Sequence, residues 1–174
     1  AGSVDLPVDV VQPAVSAEEV GYIESLLTLR VSAPITATAW PGKSFSLDRE
    51  ALIRFTTIER NPDPSASRHV QLGWKQNELE TVGETWAKEA KRPAQNARFA
   101  WSNGQVSVQS ESIDGFETDT ASVVAAIEEH AGTSDTRQFD LPGKVLTPTV
   151  SSKDLPALGI KDLIGTGTST FVGS

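Results

Sequence analysis

The chain has no cysteine, only two histidines (His69 and His130), and no block of lysine or arginine anywhere in its 174 residues. Without cysteine it has no disulfide staple, no thiol nucleophile and no cysteine-ligated zinc. Its two histidines lie far apart and form no H-E-x-x-H spacing, so no metal-hydrolase motif is present. His130 falls in the last turn of a predicted helix, where a partly cationic ring complements the helix dipole, and His69 lies at the start of a strand; both read as surface or structural. Positive charge is also short, with 15 basic against 23 acidic residues and a net charge of −8. The densest basic patch is Lys88, Lys91, Arg92 and Arg98. Nucleic-acid binders draw most of their affinity from phosphate neutralisation, so this balance argues against a nucleic-acid partner. No apolar run approaches the ~18 residues that span a bilayer. The opening "AGSVDLPVDVV" has neither the basic nor the apolar region of a signal peptide. No membrane contact is expected of this stretch, and no cofactor motif is found.

With 38% hydrophobic residues, the chain can bury roughly 70% of its unfolded surface and needs no metal to be stable. An internal echo organises it. Asp5, Leu6, Pro7, Val10, Pro13, Val15 and Ser16 recur in the same order and spacing as Asp140, Leu141, Pro142, Val145, Pro148, Val150 and Ser151. Each copy reads as a short strand, a proline-stiffened connector, and a Ser followed three residues later by an acid, Glu19 or Asp154. That last feature starts a helix, since the hydroxyl accepts an orphan backbone N–H while the acid reaches back. The echo predicts that the chain opens with the end of one structural unit and closes with the end of the next.

Between the copies the periodicity predicts a helix from Ser16 to about Thr28 through Val20, Ile23, Leu26 and Leu27. A hairpin turning at Pro41-Gly42 follows. Asp48 caps a helix "REALIRFTTI" packed through Leu52 and Phe55. "NPDPSAS" is a loop and "HVQLGW" a strand. Asn77 and Glu80 start a longer helix with Leu79, Val82, Trp86 and Ala90 on one stripe. In "ARFAWSNGQVSVQS", Asn103-Gly104 between alternating runs signals a tight hairpin. Asp119 caps a last helix with Val123, Val124, Ile127 and Ala131 inward and Gly132 past its end. Hairpins interspersed with helices predict an α+β fold, with mixed helices and antiparallel hairpins in a single main domain.

The segment "PAQNARFAWSNGQVSVQSESIDGFETD", followed by a helix and "FDLPGKVLTPTVSSKDL", resembles the peptidoglycan-binding domain that precedes VanW domains and, in other proteins, L,D-transpeptidase domains. The family's pattern falls on Pro93 to Arg98, Phe99, Gly104, Gly115 and Asp119. The resemblance spans about Val31 to Leu155. The closing "LGIKDLIGTGTSTFVGS" resembles the first residues of a VanW domain. As a phosphate loop it fails: Gly165 and Gly167 lead into Thr168, Ser169, Thr170 and Phe171, with no lysine and no third glycine. The resemblance implies a division into residues 1–30, the end of a preceding unit with its helix; 31–155, the peptidoglycan-binding-like domain; and 156–174, a truncated VanW start or linker. It further implies an extracytoplasmic protein of the bacterial envelope, anchored by an N-terminal membrane segment.

Saccharide sites often present a Trp or Tyr face, and Trp40, Trp74, Trp86, Trp101 and Tyr22 are the candidates. Trp86 belongs to a helical stripe and reads as core. Trp101 stands beside the tight turn with Arg98 and Asn103 near it. Trp101, Arg98, Asn103 and Trp74 are therefore the expected ligand-binding residues, with a glycan or stem peptide as ligand and the neighbouring domains of the same chain as further partners. The expectation is a non-catalytic wall-binding module with no cofactor that positions a VanW domain. The alternatives are a structural spacer of tandem units, and a hydrolase, which would need acids converging in a cleft.

Overall fold

A computed structural model of the protein describes residues 15–63, 65–132, 136–156 and 170. The first copy of the echo up to Ala14, and the VanW-like tail apart from Thr170, lie outside the described residues.

Helix α1 (Ala17–Arg30) starts at Ser16, whose Oγ accepts from Glu19 N while Glu19 returns a carboxylate to Ser16 N at 2.9 Å. Strands β1 (Ile35–Trp40) and β2 (Lys43–Leu47) form an antiparallel hairpin that turns through Gly42 at φ +89°. Helix α2 (Arg49–Phe55), capped by Asp48, leads into β3 (Thr56–Arg60) and β4 (Val70–Trp74), a second antiparallel pair. Helix α3 (Gln76–Ala90) is followed by the β5 (Arg98–Ser102) and β6 (Gln105–Ser110) hairpin and by β7 (Gly115–Glu117). Helix α4 (Thr120–Ala131), capped by Asp119, precedes β8 (Gln138–Asp140) and β9 (Lys144–Leu146). A single 3-10 turn spans Ser152–Asp154.

The architecture is α+β. Its main sheet has the order β2-β1-β8, with β8 parallel to β1, and β7 pairs antiparallel with β9. On β1, Ile35 and Ala37 alternate into the interior, as period-2 side chains on one face must. Phe45 on β2 stacks on Trp86 of α3 at 5.2 Å between ring centroids. Leu52, Leu79, Val123 and Ile127 complete the centre, all fully buried. Removing such a side chain from water contributes about 1.5–3 kcal/mol, so this layer of α2, α3, α4 and the main sheet sets the fold.

Four local expectations change. The helix after Asp48 stops at Phe55 instead of running through Ile58: Thr56, Thr57 and Ile58 pair with Trp74, Gly73 and Leu72. Consecutive β-branched residues favour the extended form, and the partner strand rewards it. Asn77 is not the cap of α3. Lys75 holds that position without a side-chain cap bond, and its N–H donates to Phe55 O at 2.8 Å, a tertiary tether in place of a local one. Val20 faces solvent, and Glu19 takes the inward position beside it. On α4, Ala126 occupies the interior position expected for Val124, which is half-buried.

Candidate functional site

The β5–β6 hairpin turns through Asn103 at φ +53° and Gly104 at φ +76°, the two consecutive left-handed residues of a type I′ turn. Register pairs Phe99 with Val108 and Trp101 with Val106. Residues directly opposite on an antiparallel pair share a face, so these four make one apolar face, while Ala100, Ser107, Ser102 and Gln105 make the other. All four apolar residues are half-buried, and none joins the core cluster. Arg98 and Asn103 are exposed at the base and the tip of the hairpin.

The base of this hairpin is tied to the second copy of the echo. Ala97 N donates to Val150 O at 2.9 Å, and Val150 N donates to Asn96 Oδ1 at 3.1 Å. Ser112 N and Ser152 N each donate to the other's Oγ, at 2.7 and 3.1 Å. Ser151 N in turn donates to Asp154 Oδ2 at 2.8 Å, so the Ser-acid box forms here as it does at Ser16 and Glu19.

Trp74 lies elsewhere, at the end of β4, packed on the core. The Arg30 guanidinium carbon lies over its ring, 4.0 Å from the centroid, and Arg30 Nη1 donates to Gly73 O at 2.8 Å. The structure thus groups Arg98, Trp101 and Asn103 on one hairpin, and among the described residues no hydrogen bond or ring contact joins Trp74 to them. Trp40 donates its Nε1 to Ala90 O at 3.1 Å beneath the Arg92 guanidinium, and Trp86 is core.

Concave surface gathers around α1 and the loop from Asn61 to His69. A cavity of about 320 Å³ lies between Tyr22, Leu26 and Arg30 of α1 and Arg68, Val70 and Leu72 opposite. An adjoining cleft shares Tyr22, Ser67 and Arg68, and extends to Glu19 and His69. The Arg68 guanidinium carbon lies over the Tyr22 ring, 3.7 Å from its centroid. Glu19 fixes the loop: its Oε1 accepts from His69 N at 2.5 Å and lies 3.0 Å from His69 Nδ1. Backbone hydrogen bonds from Ser16 and then His69 pull the Glu19 pKa down to about 2. Desolvation lowers the pKa of half-buried Arg30, opposed by the charge of Glu128.

Sequence reasoning saw the Ser16-Glu19 cap but not the second use of Glu19, because its partner lies 50 residues on. Nor did it single out Arg30 or Arg68, whose only local mark is a place among ordinary surface residues.

His69 and His130 occupy separate places. His130 stacks on Phe139 at 3.9 Å and shares a hydrogen bond with Thr136 Oγ1 at 3.0 Å. Among the described residues no group of three or more His, Asp and Glu side chains is placed to hold a metal ion. No described helix is long and apolar enough to cross a membrane.

No family model matches the chain, and no curated protein sequence matches it. Among solved structures it is similar to one described as the Ldtfm-avibactam carbamoyl enzyme, at 9% identity and a TM-score of 0.46. The match covers 76% of this chain and 48% of the other, so the chain spans about half the length of that structure. A likeness this slight carries no property across.

Proposed function

We propose that this chain is a non-catalytic extracytoplasmic module that binds peptidoglycan and positions a VanW domain following it. The observation that carries the reading is the β5–β6 hairpin, whose apolar face of Phe99, Trp101, Val106 and Val108 stands outside the core with Trp101 half-exposed. An aromatic ring left partly in water, next to an exposed guanidinium and amide, suits a sugar ring or a peptide stem: the face stacks and the polar groups fix orientation. Sequence supports the same reading through the likeness to the domain that precedes VanW domains. With a net charge of −8, binding to an anionic wall rests on stacking and hydrogen bonds rather than long-range attraction.

The test is co-sedimentation with purified sacculi freed of teichoic acid, comparing the wild-type chain with Trp101→Ala after circular dichroism shows both folded. Truncating a central aromatic anchor costs about 2 kcal/mol, roughly thirty-fold in Kd. Saturable pelleting of the wild type that the variant loses supports the module and its site. A wild type that stays in the supernatant at low salt overturns the reading.

A second reading, a spacer of tandem units without a wall ligand, is favoured by one observation. The Ser-acid box closes both at Ser16 and at Ser151, as it would where successive units join. Proline-stiffened joints of this kind suit a semi-rigid rod.

A further inference from the structure

The cavity between α1 and the end of the Asn61–His69 loop has a charge opposite to that of the protein. Arg30 and Arg68 both line it and no acidic residue is among the described residues that do, while the adjoining cleft that shares Arg68 carries Glu18 and Glu19. In a chain of net charge −8, a concave site of positive sign selects for anions, since field lines focus in a cleft with low-dielectric walls.

The two guanidiniums are held in ways that leave donors free. A guanidinium carries five N–H donors in one plane. The Arg68 guanidinium carbon lies over the Tyr22 ring, and among the described residues no hydrogen bond or ion pair engages its N–H groups. The Arg30 guanidinium carbon lies over the Trp74 ring, and one of its N–H groups donates to Gly73 O. Glu128 acts on Arg30 through its charge but makes its own hydrogen bond to Gln76 Nε2 at 3.0 Å. Guanidiniums held in place against aromatic rings are pre-organised for the two-point recognition of an oxyanion. Leu26, Val70 and Leu72 line one part of the cavity, beside the polar Asn61, Ser67 and Gln71, and this apolar part suits a small alkyl group attached to that anion. At about 320 Å³ the cavity is at the lower end of small-molecule sites, roughly 300–1,000 Å³, which fits one or two residues of a peptide.

We propose that this cavity is a carboxylate site that takes the C-terminal end of a short peptide, with Arg68 and Arg30 facing the carboxylate and the Leu26, Val70 and Leu72 side chains receiving the terminal alkyl group. The choice of peptide rests on the wall-binding reading, because stem peptides end in free carboxylates on small residues. Loop placement is part of the site. Glu19 holds His69, and the adjacent Arg68 is thereby set over Tyr22.

The test is an NMR titration of the whole isotope-labelled chain with diacetyl-Lys-D-Ala-D-Ala, with the same peptide capped as a C-terminal amide, and with inorganic phosphate. The expected result is saturable shifts at Tyr22, Arg68 and Gln71, with the amide about tenfold weaker or more, as loss of a charge-assisted pair dictates. Arg68→Gln, an exposed position, is expected to weaken the acid peptide by a similar factor while leaving the melting temperature unchanged. Equal binding of acid and amide, shifts confined to the Arg98–Ser110 hairpin, or phosphate binding as tightly as the peptide each overturn the assignment. The two readings fail separately. Sacculi that pellet wild type and Arg68→Gln alike, with no peptide shifts, sink this site and leave the wall module standing. Peptide binding without any pelleting supports the site and sinks the wall module.

Discussion

The carboxylate of Glu19 accepts the backbone N–H of His69 at 2.5 Å while its second oxygen accepts the N–H of Ser16. One buried side chain thus closes the start of α1 and pins the far end of the Asn61–His69 loop to it. Because these bonds go to the ionised form, Glu19 stays charged down to a pKa of about 2 against an ordinary 4.5.

The sign of the pH dependence follows. A depressed folded pKa contributes stability that is full above the unfolded value, near 4.5, and is lost as pH falls through about 2. Asp119 and Asp63 are also held below their ordinary values, by hydrogen bonds from Ser122 and Ser65, so the Glu19 share is isolated by comparison. Glu19→Gln is expected to lower the melting temperature at neutral pH and to flatten the acid limb between about pH 4.5 and 2. Urea titrations of both chains across that window measure it. Parallel acid limbs would show that Glu19 does not carry the effect.

Arg137 gives the largest expected loss. It is 8% exposed and donates Nη1 to Arg30 O and Ala33 O, each at 2.9 Å, and Nη2 to Leu29 O and Ala131 O. One guanidinium therefore satisfies carbonyls at the ends of both α1 and α4, groups that helix termini leave orphaned. Arg137→Ala leaves them buried without a donor and is expected to cost about 3 kcal/mol. Denaturant unfolding reads this directly, and a loss under 1 kcal/mol would mean that water replaces the arginine.

Much of the fold was legible because its signals are local. Alternation, the Asn103-Gly104 turn, and the caps at Ser16, Asp48 and Asp119 each lie within a few residues, and each element formed. Two of the misses share a cause: Thr56–Ile58 became strand because β4 lies beside it, and α3 begins where Phe55 O holds Lys75. The same holds for the sites. Trp101 stands where the hairpin signal placed it, whereas Arg30, Arg68 and Tyr22 come together only after α1 folds against β4, and no spacing announces that.

Two glycines in helices predict opposite outcomes. A Cβ at Gly21 meets nothing within 4 Å, whereas at Gly83 it would lie 2.9 Å from Val124 Cγ2 and 3.1 Å from Thr120 O. Gly21→Ala is expected to stabilise by about 0.5–1 kcal/mol through helix propensity alone. At Gly83 the same gain is outweighed, since forcing α3 from α4 costs about 1–3 kcal/mol. Thermal melts of the two variants should move in opposite directions.

The hairpin turn separates function from stability. Gly104 has φ +76°, and a side chain there costs roughly 1 kcal/mol or more. Because Phe99, Trp101, Val106 and Val108 stand outside the core cluster, that strain falls on the hairpin rather than on the packed centre. Gly104→Val, β-branched and so worse suited to a left-handed residue, is expected to disperse the cross-strand signals between Trp101 and Val106 while the melting temperature stays within a few degrees of wild type. If the hairpin is the wall-binding element, the same variant stops pelleting with sacculi although its core remains folded. Retained pelleting with a disrupted hairpin would move the wall contact away from Trp101. A large drop in melting temperature would instead show that the hairpin is coupled to the core.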